Sequence, residues 1–366
     1  MKKLKVDIPF LVSIFILVGA GYLIFSSASL GLLSSQTAKY ANVAFNQTFF
    51  GLFLGVIACI ITSQIDYKIY RKYAFYIYII AVLFTLAVFI PGLGVEYGGA
   101  HRWIKLGLLS FQPSEFLKIG FIIFLSAWIA SVKDKARTFR YGLLPFIILT
   151  FITGVILLIQ PDTDTFAITV FAGIAIYIVG GGRWRYILIL GIIGIMGVGV
   201  LAYTRPYVKS RITTFIYPSM NSLSSGYQIQ QSLIAVGSGG IFGRGFGQSI
   251  QKFNVLPEPI GDSIFAVASE EFGFVGAVSI ILLFIFFAFR GLKIANKVPD
   301  SFGRLMVVGI VIMITSQAFV NIGAMVGVLP LSGITLPFIS HGGTALFMTL
   351  AEVGIILNIS KNQKKA

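Results

Sequence analysis

Apolar runs of about twenty residues recur along the whole chain, and no other feature limits its fold as severely. About twenty residues is the length at which a helix crosses roughly 30 Å of hydrocarbon. Ten such runs are read, at 8–28, 47–65, 74–91, 113–131, 141–160, 165–181, 186–203, 263–289, 303–328 and 340–359. Backbone groups in lipid must pair within the protein, so only helices and closed barrels span a bilayer. These runs are continuous rather than alternating every second residue, which excludes a barrel. Composition agrees: 57% of the 366 residues are apolar and 11% charged, against about a quarter charged in ordinary soluble chains. The expectation is an all-α polytopic membrane protein with about ten transmembrane helices in a single domain, 1–366. MKKLKVD and the first run lack a convincing cleavage site and read as a retained first helix. Cys59 stands alone inside an apolar run, so it forms no internal disulfide and reads as buried filler.

The net charge of +15 invites a nucleic-acid partner, but its distribution refuses one. Of the 28 Lys and Arg, 19 fall in short alternate connections, from Lys2, Lys3 and Lys5 through Lys133–Arg140 and Arg290–Arg304 to Lys361, Lys364 and Lys365. That is the positive-inside bias, and with an even number of spans it puts both termini in the cytoplasm. The other nine include Arg102 and Lys105, in the outer loop from Pro91 to Glu115, and Lys118 at the head of a span. Arg205, Lys209, Arg211, Arg244 and Lys252 lie in a second outer loop, about 204–262, between helices 7 and 8. Loops beyond about 15 residues are functional or disordered; this one mixes Gly, aromatic and apolar residues and reads as ordered and partly re-entrant.

Four of the chain's 13 acids crowd into LPEPIGDSIFAVASEEFG, residues 256–273. Asp262 follows a proline-bent approach that holds Glu258 and stands at the outer mouth of the eighth span. A carboxylate there suits an N-cap, or a general base if burial raises its pKa. Glu270 and Glu271 lie about two turns deeper and point some 100° apart, so one of them is expected in structural hydrogen bonding. In QPSEFLKIG, Pro113 suits a helix start, and Glu115 and Lys118, three residues apart, share a face. Ionisable groups at membrane depth mark a site more often than a snorkelling surface pair. The segment 226–262, with Gln231, Arg244 and Lys252, is basic and glycine-rich, suiting a phosphorylated ligand. Its GSGGIFG lacks the GK[ST] ending of a phosphate loop, and no organic cofactor is indicated. QPDTDT, 160–165, reads as an outer turn with two acids, and 321–346 as a broken helix pair whose Ser340 and His341 precede a double glycine. A lone histidine there more often packs than titrates.

In order, GAHRWIKLG, FQPSEFLK, QPDTDT, RITTFIYP, the run from GYQIQQSL to SEEFGFVG, and NIGAMVGVLPLSGITLPFISHGG resemble the SEDS proteins, the family of FtsW and RodA, over essentially the whole chain. The stretch GFGQSIQKFNVLPEP is more similar to FtsW. The resemblance implies a peptidoglycan glycosyltransferase in the bacterial cytoplasmic membrane, joining lipid II at the outer face and releasing undecaprenyl diphosphate. It implies a class B penicillin-binding protein transpeptidase as partner, with other divisome or elongasome membrane proteins and the membrane lipid around it.

Asp262 matches the family's essential aspartate, Glu115 and Lys118 its paired charges, and Arg102 the arginine of GAxRW. Under this reading Asp262 is the general base. Arg102, Glu115, Lys118, Arg211, Gln231, Arg244, Lys252, Glu258, Ser340 and His341 are the candidate substrate contacts. A divalent cation, Mg2+ or Mn2+, near Asp262 is a further expectation. Gly261, Ser263, His341 and Asp164 depart from the family pattern. The competing readings are a lipid II flippase or transporter, for which Glu352 is the one deep acid, a RodA-like elongation polymerase, and a non-catalytic scaffold.

Overall fold

A computed structural model describes residues 6–33, 37–97, 100–106, 109–217 and 225–363. In chain order its helices are α1 (Ile8–Leu33), α2 (Tyr40–Gln64), α3 (Tyr67–Phe89), α4 (Pro113–Arg137), α5 (Phe139–Ile159), α6 (Thr163–Val179) and α7 (Trp184–Thr204). Then follow α8 (Pro206–Ile216), α9 (Ser225–Ser238), α10 (Ile264–Lys297), α11 (Ser301–Met325) and α12 (Gly343–Ser360). Nine of these are long and apolar enough to cross a membrane, and the chain is a multi-pass membrane protein. With α6, apolar but only 17 residues long, they account for all ten runs. Lys2, Lys3, Lys5, Lys364 and Lys365 lie outside the described residues.

The all-α expectation holds, with one small addition. Between α3 and α4 the chain forms a small antiparallel sheet, β1 (Gly94–Tyr97), β2 (Ala100–Leu106) and β3 (Leu109–Phe111), in the order β1-β2-β3. Its register pairs Val95 with Trp103 and Ile104 with Phe111. Strands this short, set among glycines, carry too few alternating positions to announce themselves, although β-branched and aromatic residues favour them.

α4, α11 and α12 form the centre, while α7 buries no residue fully and touches the rest through Tyr186, Ile187 and Leu190 near its start. Small residues set the closest helix approaches, as expected where lipid gives no hydrophobic drive between helices. A Cβ on Gly354 of α12 would lie 2.0 Å from Thr62 Oγ1 and 2.3 Å from the Cys59 carbonyl of α2. The connections that carry Arg71, Lys133, Arg137 and Arg304 share one end of the bundle. The sheet, the turn at 160–162, α8, α9 and the segment 239–263 share the other.

α10 is broken at Gly273, where φ is 65°. The break lies about 14 Å along the helix from Ile264, where stray backbone groups have no water. The segment after α9 re-enters and satisfies them. Arg244 N and Gly245 N donate to the Glu270 and Glu271 carbonyls at 3.0 and 2.9 Å. Phe274 N and Val275 N donate to the Gly240 and Ile241 carbonyls at 2.8 and 3.1 Å. The re-entrant turn shows Ile241, Phe242 and Phe246 outward, apolar side chains suited to lipid at that depth.

Only glycine fits at the break. A Cβ on Gly273 would lie 2.3 Å from Gly243 N, and the backbone at φ 65°, ψ −164° alone costs other residues about 1–3 kcal/mol. Gly273→Ala is therefore expected to lower the thermal unfolding midpoint of the detergent-solubilised protein; an unchanged midpoint would contradict the break.

Candidate active site

A cavity of about 650 Å³ opens at the end of the bundle that carries the sheet. Its wall combines β2, the head of α4, the turn before α6, the approach to α10 and the segment between α11 and α12. Asp262 stands on this wall beside Glu258. Asp262 does not cap α10; Ser263 holds that position, without a side-chain cap bond. Instead Gln228 Nε2 of α9 donates to Asp262 Oδ1 at 3.2 Å and to Ser263 Oγ at 3.0 Å.

The backbone around Asp262 is clamped from three sides. Asn321 Nδ2 of α11 donates to the Asp262 carbonyl at 2.7 Å. Ser340 Oγ donates to the Gly261 carbonyl and His341 N to the Ile260 carbonyl, each at 2.7 Å. Burial pushes the Asp262 carboxyl up to about 7; the Gln228 donor opposes this and the Glu258 charge adds to it. A carboxyl near 7 exchanges protons readily at neutral pH, which is what a general base needs.

Glu115 and Lys118 also line the cavity and form a buried pair at 2.9 Å. Lys118 Nζ donates to Gln317 Oε1 at 3.1 Å, and Gln317 Nε2 to the Thr335 carbonyl at 3.0 Å, which ties α4 to α11 and to the segment beyond it. Arg102 faces the cavity from β2 and spends its fork on the turn before α6, where Nε donates to the Gln160 carbonyl at 3.2 Å and the other arm to the Pro161 carbonyl. That turn sets Asp162 on the wall, buried, with no hydrogen-bond partner for Oδ2. Burial raises its pKa, and the Arg102 charge works against the rise. Lys105, exposed on β2, completes the cationic side. His341 lines the cavity and stacks on Phe25 with ring centroids 5.9 Å apart.

Five sequence candidates do not line the cavity. Ser340 is buried and spends its hydroxyl on the Gly261 carbonyl. Arg211 pairs with Asp164 and fastens α8 to the start of α6. Gln231 is half-buried on α9. Arg244 reaches Glu270 at 3.4 Å. Lys252 is wholly buried, 2.7 Å from Glu271 Oε1 and 3.0 Å from Ser27 Oγ of α1. Both glutamates are structural, where one was expected: Glu270 also accepts from Ser249 Oγ and from the amides of Ile250 and Gln251.

Sequence reasoning passed over Gln228, Gln317, Asn321 and Asp162. Gln317 and Asn321 sit four residues apart on one face of an apolar span, a spacing that makes neighbours on a helix and could have flagged them. Gln47, inside a π-helical stretch of α2, was also missed. It donates to the Ser340 carbonyl at 3.2 Å and accepts from Gly342 N at 3.0 Å.

The fold and site define a multi-pass membrane protein with a polar, carboxylate-bearing cavity at one end. The family described as Cell cycle protein, that of FtsW, RodA and SpoVE, matches residues 9–365, and the chain belongs to it. Stage V sporulation protein E of Bacillus subtilis (strain 168) is 39% identical over 98% of this chain and 98% of its own. A probable peptidoglycan glycosyltransferase FtsW of Geobacter metallireducens is also 39% identical, over 85% of this chain and 83% of its own. One solved chain comes from work on the structural coordination of polymerization and crosslinking by a peptidoglycan synthase complex. It superposes with a TM-score of 0.78 at 27% identity, covering 95% of this chain and 96% of that one. The rod shape determining protein RodA of Thermus thermophilus gives 0.67 at 26% identity, covering 96% and 97%.

Lys252→Met should leave Glu271 as a buried, unpaired charge and cost about 3–5 kcal/mol, most of it recovered when Glu271→Leu is added. Thermal unfolding in detergent checks this; a single variant as stable as the parent would contradict the structural role.

Proposed function

We propose that the chain is a peptidoglycan glycosyltransferase that polymerises lipid II at the outer face of the bacterial cytoplasmic membrane, in the FtsW manner. The observation that carries the reading is Asp262, a carboxyl with its pKa raised to about 7, clamped at a cavity whose other wall carries Arg102, Lys105 and Lys118. The basic connections at the opposite end favour the cytoplasmic side for that end, which turns the cavity outward, where lipid-linked sugars are polymerised. The FtsW relatives support division over elongation.

In the proposed step Asp262 takes the proton from the sugar 4-hydroxyl of the acceptor lipid II. The freed oxygen attacks the anomeric carbon of the donor chain, and the lipid diphosphate leaves with inversion. Arg102 and Lys105 are the cations placed to meet the diphosphate charge, the electrostatic contribution that dominates many such reactions; Lys118 stands beside them in its pair with Glu115. Arg211, Arg244 and Lys252 are committed to carboxylates elsewhere. Among the described residues no group of three or more His, Cys, Asp or Glu is placed to hold a metal ion. Asp262 and Glu258 are two carboxylates, a set that fits Mg2+ or Mn2+ only with phosphate oxygens and waters as the remaining ligands. Such a cation would supply charge neutralisation on the diphosphate. A class B penicillin-binding protein, acting with other division proteins, is the proposed partner. The solved relative from a peptidoglycan synthase complex supports it.

Purified full-length protein with its partner is assayed on lipid II for polymer and, in proteoliposomes, for lipid flipping. Asp262→Asn is expected to abolish polymer formation; full polymerisation by the variant, or flipping without polymer by the parent, would sink the proposal. A base works only when deprotonated, so the rate should rise with pH to a half-maximum near 7 rather than near the usual 4. Gln228 stabilises the charged form, so Gln228→Leu should move that midpoint up by about one unit. A pH–rate profile of the two proteins decides this, and an unmoved midpoint would contradict it.

A further inference from the structure

At the end of the bundle away from the candidate active site lies a second cavity, of about 200 Å³. Three elements meet there: the closing turn of α4, Lys133–Arg137; the turn at Gly180–Gly181 after α6; and the first turn of α11. Lys133, Arg137 and Arg304 line it, with Asp134 the one acid on its wall.

Among the described residues no acid holds these cations. None of the three takes part in an ion pair among the described residues. Two nearby acids are committed elsewhere: Asp300 Oδ2 accepts from Gly303 N at 3.0 Å, with Arg71 3.9 Å from Oδ1, and Asp66 accepts from Lys68 N at 3.0 Å; Asp134 shares the wall and offsets one of the three charges. Arg304 Nε is shut off from solvent and has no hydrogen-bond partner. A buried donor left unmade is costly, more so on a charged group. Lys133 itself adopts φ 48°, a left-handed conformation that a side chain-bearing residue keeps only where its surroundings enforce it. The start of α11 adds the positive end of its dipole.

We propose that this cavity binds a phosphate group. Guanidinium forks suit tetrahedral oxyanions with two or more acceptor oxygens. The volume equals roughly six or seven waters, room for a phosphate and its ester oxygens but not for a disaccharide. The ligand is the phosphodiester of an anionic phospholipid in the leaflet at this end, where basic pockets between spans hold headgroups, or a phosphate from solution. The site is separate from the glycosyl-transfer cavity and does not depend on that reading.

Full-length protein in an uncharged detergent is titrated with phosphatidylglycerol, phosphatidylcholine and inorganic phosphate, and bound ligand is read by native mass spectrometry. Phosphatidylglycerol should bind at least about tenfold more tightly than phosphatidylcholine. Arg304→Gln and the paired Lys133→Gln/Arg137→Gln should each weaken it about tenfold. Lys293→Gln/Lys297→Gln, which removes two charges at the same end but outside the cavity, should leave it unchanged. Lys133 and Arg137 are exposed, so their double variant carries the test if Arg304→Gln fails to fold. Inorganic phosphate bound in place of lipid, and lost in the same cavity variants, supports the site and assigns it to a soluble anion. Binding of neither ligand, binding unaffected by the cavity variants, or equal weakening by the Lys293 and Lys297 pair overturns the proposal.

Discussion

Lys252 and Glu271 meet at 2.7 Å with side chains 0% and 1% exposed, and the upper half of the molecule is organised around that contact. A charge buried at this depth is tolerable only when paired and hydrogen-bonded. Here Ser27 Oγ donates to Glu271 and the Lys252 ammonium donates to the Gly247 carbonyl. The contact therefore joins α1, the re-entrant segment and α10. Glu270, the adjacent acid, points elsewhere and gathers Ser249, Ile250 and Gln251. Two neighbouring carboxylates on one helix thus hold two parts of the same segment, which in turn satisfies the broken backbone at Gly273. The half-helix from Ile264 to Phe272 is fixed at its deep end by these bonds, and Asp262 rides at its other end.

What the half-helix presents is then refined by amides rather than charges. Asn321 grips the carbonyl of Asp262 and Gln228 its carboxylate, while Ser340 and His341 hold the two residues before it. The backbone under the carboxyl is fixed, and the desolvation of the side chain raises the pKa that makes it useful as a base. The cations around it divide by task. Those paired with a carboxylate that does not line the cavity, Lys252, Arg244 and Arg211, build the scaffold. Arg102, Lys105 and Lys118 remain on the wall.

The spans were legible because their signal is long and redundant; twenty apolar residues survive any local ambiguity. The sheet at 94–111 was not, since three short strands among glycines carry almost no period. Asp262 stood out because acids are rare in this chain and its neighbours bend the approach to a helix. Lys252 and Arg244 were read as ligand contacts because a basic glycine-rich loop looks alike from sequence whether it binds an anion or folds onto a glutamate pair. Only the depth at which the loop packs tells the two apart. The departures from the family pattern acquire local partners: Asp164 takes Arg211 and Gly333 N, Ser263 shares Gln228 with Asp262, and His341 stacks on Phe25.

The central claim is that the Asp262 carboxyl is held part-desolvated at the cavity mouth and gains or loses its proton near neutrality. Infrared difference titration of the parent protein against Asp262→Asn isolates that carboxyl directly. The account predicts that its protonated C=O band persists until the pH reaches about 7. Loss of the band near pH 4, where an ordinary exposed carboxyl ionises, would contradict it.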